Sequence, residues 1–162
     1  MKLIFLDIDG VLNSGRWLAS ETYQRMRDDE PVSDRWEDML DPDAVRMLNQ
    51  IVEHTGGSIV VSSSWRYALD FDQLVQVLRA GGVRGGIIGS TPGGEGIRGR
   101  EIEDWLDLSH LPYEAFVILD DDSDMEPFQD RLIRTTFADG LQQEHVELAV
   151  EMLNAGEGGS DG

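Results

Sequence analysis

Lys2-Leu3-Ile4-Phe5-Leu6-Asp7-Ile8-Asp9-Gly10-Val11 stands at the start of the chain and decides its fold. A short apolar run ends in two carboxylates, two positions apart, and a glycine follows. A run of this length, bounded by a turn, reads as a buried strand over residues 2–8. Side chains two apart in a strand share a face, but a bend after Asp9 would separate the pair. Gly10 tolerates the backbone angles such a bend requires. Carboxylates beside an apolar strand are costly unless a cation or hydrogen bonds compensate. One acid can then serve as nucleophile or metal ligand and the other as proton carrier. Two other readings stay open here: solvated turn acids, and a glycosyltransferase-like pair holding a metal–nucleotide. The latter usually follows a nucleotide-binding half-domain, and only six residues precede Asp7.

Downstream, strand and helix patterns alternate. Residues 13–40 are polar and mixed, with Trp17, Tyr23 and Trp36 among charges, and read as a small helical or irregular insert. Asp41-Pro42 starts a helix with an N-cap acid and proline at its first position. Val45, Leu48, Ile51 and Val52 give its apolar stripe, and Gly56-Gly57 ends it. Ile59-Val60-Val61 is a second strand, followed by Ser62-Ser63-Ser64-Trp65-Arg66. Phe71, Leu74, Val75 and Leu78 mark another helix, stopped by Gly81-Gly82. Ile87-Ile88 predicts a third strand. Residues 89–99 are glycine-rich and read as a functional loop, and Ile102, Trp105 and Leu106 mark a short helix. Phe116 to Leu119 predicts a fourth strand ending in Asp120-Asp121-Asp122, and Leu132-Ile133 a fifth. A last helix carries Leu141, His145, Leu148, Ala149, Met152 and Leu153. Residues 156–162 are expected to be a disordered tail. The alternation predicts an α/β domain over residues 1–155: three layers, a mainly parallel Rossmann-like sheet, and helices on both faces. Ligands of such sheets sit beyond the carboxyl ends of the strands, where strand order reverses. Three predicted strands end there in candidate residues: Asp7/Asp9, Ser62 and Asp120/Asp121.

Composition narrows the chemistry. The 162 residues suit one sizeable core. The formal net charge of −19 disfavours long-range attraction of polyanions or anionic membranes. Extended nucleic-acid binding is therefore not expected, although an arginine-lined pocket is compatible with it. The absence of cysteine excludes disulfides, thiolate catalysis and Cys-based zinc sites, and is read most simply as a cytoplasmic chain. No signal peptide is read at the N-terminus, because Asp7 and Asp9 interrupt the apolar run. No stretch reaches the roughly 20 apolar residues that span a bilayer.

The remaining motifs fit phosphoryl chemistry. Asp120 and Asp121 read either as part of a solvated acidic loop or, because they directly follow a strand, as hard oxygen donors that suit Mg²⁺ better than a softer metal. Asp7 and Asp120 can grip one cation between strand ends, offsetting the repulsion of gathered acids. Ser62 reads as a helix N-cap or turn former or, with Ser63 beside it, as a group that holds a phosphoryl oxygen through its hydroxyl and neighbouring backbone N–H groups. Arg98 and Arg100 flank Gly99 before a helix, and a guanidinium fork matches phosphate geometry. Either arginine can alternatively pair with Glu101 or Glu103. Arg66 and Arg16 are weaker clamp candidates. His54, His110 and His145 lack metal-ligand spacing, and the four tryptophans read as core or insert packing, with Trp65 nearest the expected site.

In this order the motifs resemble the haloacid dehalogenase-like (HAD) phosphohydrolase superfamily. Its strand plus Asp-x-Asp-Gly matches Phe5 to Val11, and its strand ending in Ser or Thr matches Val60-Val61-Ser62. Its basic residue matches Arg98 or Arg100, with arginine where lysine is usual. Its strand ending in paired acids matches Ile118-Leu119-Asp120-Asp121. Ser-Ser-Ser-Trp-Arg, Thr91-Pro92, Arg98-Gly99-Arg100-Glu101-Ile102 and Leu119-Asp120-Asp121-Asp122 look more narrowly like the small HAD domains associated with Swiss Army Knife RNA repair proteins. That pattern favours Arg98 as the basic residue. The resemblance implies a Mg²⁺-dependent phosphomonoester hydrolase with an aspartyl-phosphate on Asp7. The metal would bind Asp7, the Asp9 carbonyl and Asp120, with Asp121 in support. The Asp9 side chain would carry the proton, and Ser62 and Arg98 would hold phosphate. It also implies a phosphorylated substrate, either a small molecule or a nucleic-acid end. A non-catalytic phosphate- or metal-binding partner module and a phosphotransferase are the alternatives. The insert over residues 13–40 occupies a cap position but is too short for a large lid.

Overall fold

A computed structural model describes residues 1–29, 35–94 and 96–157 of the chain. Among these, five strands form one all-parallel sheet: β1 (Lys2–Leu6), β2 (Ser58–Val61), β3 (Ile87–Ser90), β4 (Ala115–Asp120) and β5 (Leu132–Arg134). Their spatial order is β3-β2-β1-β4-β5, so β1 is central. The chain builds one half of the sheet outward from β1 and then crosses back to lay β4 on its other side. The reversal of order therefore falls between β1 and β4, which opens a crevice at their carboxyl ends. Leu6 pairs with Val61 on one side and Leu119 on the other, so Asp7, Ser62 and Asp120 leave the sheet at one level.

All five residues of β1 are buried, as a central strand covered on both faces requires. Alternation divides them. Ile4 and Leu6 join Val61, Val117 and Leu119 in the larger core, covered by α3 (Pro42–Thr55), α4 (Phe71–Ala80) and α6 (Gln143–Asn154). Leu3 and Phe5 join Val60, Phe116 and Ile118 under α5 (Arg98–Ser109), together with Met125. Phe5 meets Trp105 and Phe116 edge-on, at ring centroids 5.6 and 5.7 Å apart. Truncating so enclosed a ring costs about 3–5 kcal/mol.

The helix signals act as read. Asp41 caps α3 by accepting from the Asp43 N–H at 2.9 Å, Pro42 takes the first position, and Gly56 ends the helix at φ +70°. Asp70 and Gln73 form a reciprocal capping box on α4. The third strand carries a bulge: Ile87 pairs with Ile59 and Gly89 with Val60, leaving Ile88 extra and exposed. β1 stops at Leu6 rather than at residue 8. The ladder runs one bond further, from the Asp7 N–H to the Leu119 carbonyl at 3.0 Å, and the chain then turns so that the N–H groups of Val11 and Leu12 return to the Ile8 carbonyl.

The insert over residues 13–40 contains α1 (Gly15–Leu18), α2 (Glu21–Asp29) and a 3-10 turn at Trp36–Met39; its residues 30–34 lie outside the described residues. Trp17 packs against Tyr23, and Trp36 against Trp65. The expected disorder over residues 156–162 falls, from 158 onward, outside the described residues. Glu157 pairs with Lys2 at 2.5 Å. No helix among the described residues is long and apolar enough to cross a membrane.

Candidate active site

The crevice between β1 and β4 collects the acids. One carboxylate oxygen each from Asp7, Asp120 and Asp121 lies within 4.8 Å of the others. Asp7 and Asp120 are buried, and Asp121 is half-buried. Local bonds aim them. One Asp7 oxygen accepts from the Ile8 N–H at 2.8 Å, and Asp120 Oδ1 accepts from the Asp122 N–H at 2.9 Å. Asp120 Oδ2 is buried without a hydrogen-bond partner among the described residues. Leaving such an oxygen bare costs several kcal/mol. Three hard oxygen donors with one orphaned lone-pair set fit a Mg²⁺ ion, and Asp7, Asp120 and Asp121 would hold it.

The electrostatics agree. Burial first, and the Asp120 charge second, push the Asp7 carboxyl up to about 8 against the opposing pull of Arg98. Burial also raises Asp120 and Asp121. Without a cation, the cluster thus retains a proton near neutrality, as two close carboxylates do.

Gly10 makes the crowding possible. Its φ of +80° is a glycine conformation, and a Cβ there would run into the Asp121 carboxylate. Its carbonyl accepts from the buried Thr135 hydroxyl at 2.6 Å.

Asp9 stands apart from the cluster. Its Oδ1 accepts from Trp65 Nε1 at 3.1 Å and from Asn13 Nδ2 at 2.9 Å, while Asn13 Oδ1 accepts from the Gly10 N–H. The two acids of the opening motif therefore have different hydrogen-bond partners, although the Asp9 charge still adds to the upward push on Asp121.

Ser62 and Arg98 face the acids from the β2 side. Arg98 Nη1 donates to the Ser62 carbonyl and lies 3.4 Å from its hydroxyl. Arg98 Nε lies 3.9 Å from Asp120 Oδ2. The loop after β4 holds the base of Arg98: the Arg98 N–H donates to Asp124 Oδ2 at 3.1 Å, and the Gly99 N–H to the Asp124 carbonyl at 3.0 Å. A Cβ on Gly99 would run into the Met125 and Glu126 backbone, so glycine lets this helix start approach.

Two expected phosphate ligands are not brought to the cluster. Arg100 points outward and pairs with Glu103 at 2.7 Å, because two residues along a helix turn a side chain to the opposite face. The Ser63 hydroxyl caps the next 3-10 turn by accepting from the Trp65 N–H at 3.2 Å. Arg16 donates to the Asp139 carbonyl at the surface. The histidines also lie elsewhere, and His145 Nδ1 accepts from the Gln142 N–H in the cap of α6.

Asn13, Thr135 and Asp124 have no role in the sequence reading, and Trp65 stands there as the tryptophan nearest the expected site without a function. Asn13 alone had a local signal, an amide four residues beyond Asp9 in the same turn.

Hard oxygen ligands opposite an arginine and a serine suit α/β proteins that handle phosphoryl groups with a divalent cation. The chain belongs to the family described as the HAD domain in Swiss Army Knife RNA repair proteins, whose model matches residues 3–146. This places it in the HAD superfamily of phosphohydrolases and phosphotransferases. No curated protein and no solved structure matches the chain.

Proposed function

We propose that the protein is a Mg²⁺-dependent phosphomonoester hydrolase that works through an aspartyl-phosphate on Asp7, with phosphorylated nucleic-acid ends as its substrate class. The observation that carries this reading is the division of the acid pair. Asp7 sits with Asp120 and Asp121, whereas Asp9 is held separately by Trp65 and Asn13. A module that only bound metal or phosphate would have no use for the second acid.

An Asp7 carboxylate oxygen attacks phosphorus, and the bond from phosphorus to the ester oxygen breaks. The leaving oxygen takes a proton from the Asp9 carboxyl. Asp9, now a carboxylate, removes a proton from water as that water attacks the acyl phosphate. Inorganic phosphate leaves, and Asp7 returns as a carboxylate. The Ser62 hydroxyl and the Arg98 guanidinium hold the other phosphoryl oxygens where charge spreads. Mg²⁺, when held by Asp7, the Asp9 carbonyl and Asp120 with Asp121 in support, supplies the positive charge that lets Asp7 ionise beside an anionic substrate. Substrate class rests on the family's description and on the short insert. A small cap leaves room for a bulky chain end, while the net charge of −19 limits contact to that end.

The test is phosphate release from an aryl phosphate and from 3′- and 5′-phosphorylated oligonucleotides, with Mg²⁺ or chelator. Wild type is expected to turn over only with metal, and Asp7→Asn to be inactive. Full activity in Asp7→Asn refutes the covalent route. A folded wild type that is inactive on the whole panel supports the binding-module reading instead.

A further inference from the structure

Glu101 is a buried acid that the reaction above does not use. Its side chain is 5% exposed and lies between two arginines. One carboxylate oxygen accepts from Arg66 Nη2 at 2.7 Å and lies 4.0 Å from Arg98 Nε. The other accepts from the Gly94 N–H at 3.2 Å. The two arginines also take consecutive carbonyls at the end of β2, Arg98 that of Ser62 and Arg66 that of Ser63. They differ in what lies beyond. Arg98 reaches Asp120 and the crevice, whereas Arg66, 8% exposed, stacks on Tyr67 at 4.8 Å from the ring centroid.

A buried carboxylate needs a full partner. Arg66 satisfies it at contact distance, and Arg98 stays about an ångström outside that distance. We propose that Arg66 is a positioning residue: by saturating Glu101 it keeps the Arg98 guanidinium on Ser62, available to the phosphoryl group. Without Arg66, Glu101 would be a buried charge left with the Gly94 N–H and a cation 4.0 Å away. The Arg98 side chain is long enough to close that gap, and doing so withdraws it from Ser62. The Coulomb attraction that drives this is strong in a site so poorly solvated. This inference rests on the reading of Arg98 as the phosphate ligand.

The experiment compares Arg66→Met, Arg66→Lys, Glu101→Gln and the double variant Arg66→Met/Glu101→Gln. Steady-state kinetics on an aryl phosphate are paired with crystal structures. Arg66→Met is expected to raise KM about tenfold or more with a smaller change in kcat, and its structure to show Arg98 in contact with Glu101. Arg66→Lys keeps the countercharge and should stay within a few-fold of wild type. Glu101→Gln should leave KM unchanged or lower, because the competing charge has gone while Gln still accepts from Gly94. The double variant should recover most of the loss seen in Arg66→Met. A purely structural Arg66 would also be rescued by removing its partner, so the discriminating readouts are the rise in KM at nearly unchanged kcat and the Arg98-to-Glu101 contact in Arg66→Met. Wild-type kinetics in Arg66→Met, or a double variant no better than the single, overturns the proposal. If wild type itself is inactive, the function reading fails separately. The Arg98-to-Glu101 distance in Arg66→Met then decides this inference alone: contact supports it, and an Arg98 left on Ser62 overturns it.

Discussion

Asp7→Asn should make the metal-free protein more stable while removing its activity. Asp7 is 6% exposed, and its carboxyl is raised from 3.8 to about 8, first by burial and then by Asp120. Between those values the folded state holds a proton that the unfolded state has released. Folding stability therefore falls as pH rises through this window; the penalty is absent below pH 3.8 and complete above about 8. At pH 7 the displacement is about three units, a ceiling of roughly 4 kcal/mol. Sharing of the proton with Asp120 and water entry reduce this to about 2 kcal/mol. Asparagine is isosteric, keeps the acceptor for the Ile8 N–H, and adds a donor toward Asp120. For a domain of this size the gain corresponds to a Tm increase of about 4–8 °C. The assay is thermal and urea unfolding of both proteins in chelator from pH 5 to 8.5. Wild type should lose stability steadily with rising pH, and Asp7→Asn should lose less. Mg²⁺ should stabilise wild type most at the alkaline end. An Asp7→Asn protein that is less stable than wild type in chelator, with the same pH slope, refutes the account of the cluster as mutually repelling acids awaiting a cation.

Other substitutions probe the surroundings. Trp65→Phe keeps the edge contact with Trp36 but removes one of two donors to Asp9; kcat should fall about tenfold in steady-state assays, with a stability cost near 1 kcal/mol in urea. Gly10→Ala meets both the positive φ and the Asp121 carboxylate; it should cost about 2 kcal/mol or more and weaken Mg²⁺ binding measured by calorimetry. Burial lowers His145, opposed by Glu144, so the unfolded state binds the proton more readily and stability should decline as pH falls through 6.5 and below. The imidazole must be neutral to accept from Gln142, and His145→Gln, which keeps an acceptor there, should flatten that acid slope in unfolding curves.

The strand-ending motifs made the fold and the acid cluster legible because their signals are local. Four apolar residues before Asp7 and four before Asp120 mark buried parallel strands, and the sheet's geometry then brings their ends together. Asp41-Pro42 and Gly56 announce α3 for similar reasons. What stayed hidden depends on tertiary pairing. Trp65 reaches Asp9 across 56 positions, and no spacing rule connects an indole after β2 with an acid after β1. Arg66 reads in sequence as a weaker clamp candidate, or else a surface or structural arginine, and nothing local announces that its side chain is buried against Glu101, 35 residues away. Arg98 and Arg100 look alike by residue type alone. The family pattern favours Arg98, and the helix direction gives the physical reason, sending Arg98 to Ser62 and Arg100 to Glu103. Ser62 and Ser63 divide likewise, because extended backbone alternates and the second hydroxyl meets the next turn.

The central claim is that Asp7 becomes phosphorylated, and acid-quenched mass spectrometry of Asp9→Asn tests it most directly. This variant is incubated with Mg²⁺ and an aryl phosphate, quenched and digested. In the proposed mechanism this variant lacks the group that activates water, so a single phosphoryl group should accumulate on the peptide containing Asp7 and be absent from Asp7→Asn. Turnover by wild type with no adduct in Asp9→Asn, or an adduct on any other residue, contradicts the account.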